Sequence, residues 1–196
     1  MGIDPFEGAD TRFFWRSPTK SRRKGKRRQG VQSRQNRLAA LALSTLEQLE
    51  ERSLLAADVI ISEIMYHPAD PDADAEFIEL MNISDSVTLE LENVKFTAGI
   101  DFTFPAGTSL APGARIVVNF ADFQNGSRLN NGSDRIKLED ADNSTVRDFT
   151  YDDNAPWPTT PDGSGPSLGY RGGNPDLPQS WRASLANGGN PSGSDA

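Results

Sequence analysis

Cysteine is absent from the 196 residues, which excludes disulfides, thiolate metal sites and cysteine nucleophiles. Histidine occurs once, at His67. No nucleophile with support in the sequence pairs with it, so beside Pro68 it reads as a surface residue rather than a base. Long apolar runs are missing too. The longest is Leu38 to Leu43, far short of the roughly 20 residues that a membrane-spanning helix requires, so no transmembrane segment is expected. Acidic residues are missing from Arg12 to Arg37, which carries 11 basic residues.

What is present suits a hydrophilic module with one modest core: 36% of residues are hydrophobic and the mean hydropathy is -0.56. The net charge of -8 divides unevenly. Residues 1–57 hold 12 Lys or Arg against 6 Asp or Glu, a net +6, whereas residues 58–196 hold 8 against 22, a net -14. Two regions follow, a basic N-terminal extension over 1–57 and a β domain over 58–193.

Residues 1–10 match no element. The basic run, with glycine and serine but little to bury, is expected to be disordered by self-repulsion. It reads as a solvated tail, an anion-binding tail for nucleic acid or lipid headgroups, or the charged front of an export signal. Leu38 to Ala57 consists of strong helix formers with leucines near helical spacing, which predicts a short amphipathic helix. A basic run followed by an apolar patch is the order of a secretory signal, although this patch is shorter than the usual length of about 7 to 15 residues. Within it, Leu49-Glu50-Glu51-Arg52-Ser53-Leu54-Leu55-Ala56-Ala57 resembles the leucine-glutamate-proline-arginine, double-leucine motif found near the N-termini of large bacterial surface proteins, with Glu51 in place of proline. That resemblance implies export.

From Asp58 the pattern becomes β. Val59 to Ser84 reads as a long-looped hairpin, two runs rich in β-branched and aromatic residues around a polar, proline-punctuated loop. Pairing Ile64 with Ile78 sets Met65 against Phe77, Ile61 against Met81, and Glu63 against Glu79. Two facing carboxylates repel. A basic group between them, a different register, or projection into water would each resolve the conflict. Further runs at 87–91, 94–97, 100–104, 115–120, 135–139 and 145–151 are short, evenly spaced and bounded by turn residues, as in a β-sandwich. Past Asp152 the chain is rich in Pro and Gly, which argues against central strands. It is expected to wrap the sandwich, anchored by Trp157, Tyr170 and Trp181.

Taken in order, Ile61-Ser62-Glu63-Ile64 with Tyr66 and Pro68, Glu76-Phe77-Ile78-Glu79-Leu80 with Asn82, Phe102 to Gly107, Leu110-Ala111-Pro112-Gly113, Tyr151, Trp157-Pro158 and Ser167-Leu168 resemble the lamin tail domain. The resemblance spans about residues 58–193. Asn93-Val94 stands where the family usually has Gly-Trp, and Gly189-Asn190-Pro191-Ser192 where it closes with Gly-x-Pro-Gly. It implies an all-β, immunoglobulin-like β-sandwich acting as a non-catalytic interaction module. In bacteria such modules accompany spore-coat-type kinase domains or secreted hydrolases.

Four candidate chemistries remain. Asp70, Asp72, Asp74 and Glu76 alternate along the hairpin loop, an oxygen-rich spacing that can wrap calcium but lacks the glycine and flanking helices of an EF-hand; a solvated acidic loop is the simpler reading. No other cofactor is expected. Gly165-Pro166-Ser167-Leu168-Gly169 matches the nucleophile-elbow pattern by letter, yet Pro166 precedes the serine and no helix or histidine follows. Glu63 and Glu79 form a carboxylate pair suited to acid–base work or metal binding, although the resemblance assigns them structural positions. Asn82, Asn125, Asn131 and Asn143 each open a glycosylation sequon.

The expectation is a non-enzymatic module of an exported, extracellular or cell-surface protein, whose partner is an unidentified protein or surface component. Its rivals are nucleic-acid binding through the basic tail and an accessory role in a larger secreted enzyme. Specific nucleic-acid recognition by the β domain is not expected, since a net -14 repels phosphate.

Overall fold

Runs of β-branched and aromatic residues separated by Gly, Pro and Asn turns build a two-sheet sandwich in the computed structural model, which describes residues 36–40, 55–56, 58–70 and 74–193. Residues 36–40, 55 and 56 are helical. The expected disorder of the basic run, save at residues 36 and 37, which are helical, and the rest of the expected amphipathic helix fall on residues outside the described ones.

The strands are β1 (Val59–Met65), β2 (Phe77–Asn82), β3 (Leu89–Glu90), β4 (Lys95–Ala98), β5 (Phe102–Thr103), β6 (Ser109–Leu110), β7 (Arg115–Asn119), β8 (Ser133–Glu139), β9 (Thr145–Asp152), β10 (Pro166–Tyr170) and β11 (Trp181–Asn187). One sheet has the order β11-β10-β1-β2-β7 and the other β5-β4-β8-β9, with β3 and β6 forming a separate pair. The pairings are antiparallel. Between the two large sheets lie Ile64, Ile78, Leu80 and Leu168 from one, and Phe96, Ile136, Leu138 and Phe149 from the other. Tyr66 stacks on Tyr151 across this core with centroids 4.7 Å apart. The architecture is the expected immunoglobulin-like β-sandwich.

The hairpin register holds at Met65↔Phe77, Ile64↔Ile78 and Glu63↔Glu79, then shifts, so that Ile61 pairs with Leu80 and Met81 with Ile60. Ser62 is the extra residue of a β-bulge. An inserted residue reverses the inward–outward alternation, which is why Ile61 and Ile64, three apart, both reach the core.

The expectation that no central strand follows Asp152 is corrected. β10 is hydrogen-bonded on both sides, to β1 and β11. Pro166 is compatible because it stands first in the strand, where its missing N–H breaks no ladder bond. The aromatic anchors do gather: Trp181 stacks on Phe149 at 5.3 Å and meets Tyr170 at 5.3 Å and Trp157 at 6.3 Å.

The packed unit also takes in residues before β1. Leu55 is buried in the core, and the Arg147 guanidinium donates to the Ala56 carbonyl at 2.6 Å. Burial disfavours that charge and lowers the Arg147 pKa.

Candidate functional site

The facing carboxylates of Glu63 and Glu79 lie on the outer face of the five-stranded sheet, away from the apolar core. Both are buried, Glu79 completely and Glu63 with 5% of its surface exposed. Leaving such charges without partners costs several kcal/mol each in order of magnitude, so the surrounding bonds decide whether the site can exist. Glu79 accepts from the Ser62 hydroxyl at 2.5 Å, from the Arg115 guanidinium, and from the backbone N–H of Ser192 at 2.5 Å. Glu63 accepts from the Ser167 hydroxyl and from the backbone N–H of Asn190 at 2.9 Å. The bulge at Ser62 supplies one donor; the C-terminal segment supplies two.

That segment, residues 188–193, is a strap across the sheet. Gly189 sits at φ +75°, and a Cβ there would lie 2.2 Å from the Glu63 Oε1 and 2.9 Å from the Ser167 Oγ. Only glycine meets both the backbone angle and the approach. Ser192 also has a left-handed backbone, φ 68°, as does Asn93 at φ 61°. These are two positions where this chain departs from the glycines of the pattern it resembles. Asparagine tolerates that region, whereas serine pays for it.

Ser167, the centre of the elbow-like pattern, is 1% exposed at the second position of β10 and gives its hydroxyl to Glu63. An elbow nucleophile needs a strained, exposed turn before a helix; this serine is a strut. His67 and Asp162 hold each other, Nδ1 to Oδ1, at 2.6 Å. The two are partly exposed, and the pair ties the 153–165 loop to the end of β1, as does the hydrogen bond from the Gly163 N–H to the His67 carbonyl.

Along the hairpin loop, Asp72 lies outside the described residues. Glu76 is buried and accepts from the Leu129 N–H at 2.9 Å and from Arg128 at 3.2 Å, while Arg128 also reaches Asp74 at 3.1 Å. Arg128 in turn stacks over Phe120 at 4.1 Å. Among the described residues no group of three His, Cys, Asp or Glu stands close enough to hold a metal ion. No helix among them is long and apolar enough to cross a membrane.

Of the sequon asparagines, Asn82 is fully buried, its amide donating to the Val87 and Leu110 carbonyls at 2.7 and 2.8 Å. It is a corner brace that no glycosylating enzyme reaches. Asn125, Asn131 and Asn143 are exposed.

Beside the carboxylate pair a cleft of about 360 Å³ opens on the same face, lined by Arg115, Arg171 and Arg182. Sequence reasoning missed it. The sole signal was the presence of two arginines in a Pro- and Gly-rich region where no paired strands were expected.

Residues 55–153 match the family model of the lamin tail domain. No curated protein and no solved structure matches the chain.

Proposed function

The chain belongs to the lamin tail domain family, a non-catalytic immunoglobulin-like module, and from that premise we propose that it serves as an interaction module of an exported or cell-surface protein. One observation carries the non-catalytic part. The candidate catalytic side chains Glu63, Glu79 and Ser167 are buried and engaged with one another or with neighbouring donors, and the one histidine, His67, is held by Asp162. Export is supported by the resemblance of Leu49 to Ala57 to a surface-protein motif. Cell fractionation with externally added protease tests it. The expected result is protein in the envelope or medium that the protease can attack; a protected cytoplasmic pool would overturn the proposal.

The 11 basic residues between Arg12 and Arg37 support a second reading, non-specific binding of nucleic acid by the tail. Counterion release makes such binding fall steeply with salt. A salt titration of duplex binding by the full chain tests it, and salt-resistant or sequence-selective binding would contradict a tail-only origin.

A further inference from the structure

Residues 58–196 carry eight basic side chains in a net charge of -14, and their placement is uneven. Arg128 holds Asp74 and Glu76, Arg135 holds Asp148, and Lys137 holds Glu139. Arg147 is turned to backbone carbonyls and Lys95 to Asn143. Three more, Arg115 with its partner Glu79, Arg171 and Arg182, line a cleft on the outer face of the five-stranded sheet.

The register explains why there is a cleft at all. Glu63 pairs with Gly169 on β10, and Gly169 pairs with Arg182 on β11, so the three form one row across the sheet. Glycine in the middle of the row leaves a gap between a carboxylate and a guanidinium. Arg171 follows Gly169 by two residues and so belongs to the same face. Arg115, bonded to Glu79, closes the opposite wall. Arg171 and Arg182 are exposed, and the Arg171 side chain makes no hydrogen bond or ion pair among the described residues.

Beyond the cleft lies a free rim. Among the described residues β11 is hydrogen-bonded only to β10, so its other edge offers backbone N–H and C=O groups, and Leu185 on it is 77% exposed. Extended peptides add to such edges, with alternate side chains entering pockets on one face. We propose that this edge and cleft take an extended segment of a protein partner, seating one carboxylate side chain between Arg171 and Arg182. Planar guanidinium forks suit a carboxylate. The net -14 of residues 58–196 repels polyanions, so the recognised segment carries an isolated acidic residue among neutral ones. This rests on the reading of the chain as an interaction module and names the chemistry of what it binds.

The test is amide NMR of the full chain titrated with a short peptide of alternating threonine and valine around one central glutamate. Saturable shifts at Gly169, Arg171 and Arg182 are expected, with affinity falling roughly tenfold or more in Arg171→Gln/Arg182→Gln, as loss of charged hydrogen bonds implies. Both residues are exposed, so the variant should keep its fold, checked by its unperturbed core amides. Equal binding of the peptide with glutamine at its centre would overturn the proposal. So would shifts confined to Arg12 to Arg37, or a uronic-acid oligosaccharide that fills the cleft more tightly than the peptide. A cytoplasmic location would defeat the export reading and leave this result standing, whereas an exported protein that ignores the peptide defeats only this inference.

Discussion

On its inner face the five-stranded sheet presents Ile61, Ile64, Ile78, Leu80, Val118 and Leu168 to the core; on its outer face the same strands present Ser62, Glu63, Glu79, Arg115 and Ser167. Glu63 and Glu79 on the outer face are buried like the apolar residues of the inner one, but the forces differ. Apolar burial is non-directional and tolerates volume-conserving exchange. The outer face depends on each carboxylate meeting particular donors, two of them backbone N–H groups of one strap. A single lost partner there strands a buried charge, whereas a lost methylene on the inner face leaves only a small void.

The sharpest way to break this contrast is Arg115→Met, which leaves Glu79 without its counter-charge. It should lower unfolding free energy by about 3–5 kcal/mol, while the double change with Glu79→Met should recover much of that loss. Urea unfolding of the two single variants and the double variant measures it, and a cost below about 1 kcal/mol for Arg115→Met would mean that the strap, not the ion pair, holds the outer face. On the inner face, the corresponding probe is Leu55. Deleting residues 1–57 should cost about 1.5–3 kcal/mol, the worth of one buried leucine. Deleting 1–54 should leave the urea midpoint unchanged; equal midpoints for the two truncations would remove Leu55 from the core.

The inner face also carries a titratable element. Burial raises the pKa of both Tyr66 and Tyr151. The folded state therefore keeps phenol protons that the unfolded chain releases from about pH 10 upward. The stabilisation is complete below that pH and is lost as pH rises through the alkaline range. Urea midpoints that stay level from about pH 9 to about pH 11 would contradict it. Returning to the strap, Ser192→Gly relieves a left-handed serine at φ 68° and should stabilise by about 1 kcal/mol; a lower Tm in the glycine variant would show that the hydroxyl contributes more than the strain costs.

The smallest effect belongs to the hairpin loop. Arg128→Gln removes its pairs with the exposed Asp74 and with Glu76, which keeps the Leu129 N–H, and should cost no more than about 1 kcal/mol. It also releases Asp74 for the calcium reading of Asp70, Asp72, Asp74 and Glu76, so millimolar calcium should raise the Tm of the variant more than that of the parent. Absence of binding heat in both proteins would retire the loop as a calcium site.

Much of the inner face was legible in the sequence. β-branched and aromatic alternation set the hairpin pairs at Ile64 and Met65, because apolar side chains of period two can occupy only one face. The bulge was not legible: a serine in an alternating run carries no mark of being surplus, and it moved Met81 from Ile61 to Ile60. β10 was hidden by Pro166 and its flanking glycines, whose local propensity is overridden by ladders on both sides. The sequence raised the conflict between Glu63 and Glu79 but not its resolution, since the donors at Asn190 and Ser192 are set by tertiary closure rather than by any nearby pattern. The arginine cleft was illegible for the same reason, being a product of the register between β1, β10 and β11.

The strap also dictates an order of events. Asn190 lies 127 residues from Glu63, and Ser192 lies 113 from Glu79. Contacts of such separation close late, after the chain entropy of the intervening loop has been spent. As the chain leaves the ribosome, β1 and β2 emerge long before residues 188–193, and until those arrive the two carboxylates remain hydrated and hold that face of the sheet open. Burial of the two carboxylates therefore waits for residues 188–193, and a product cut short before Gly189 keeps a hydrated, charged flank on that sheet.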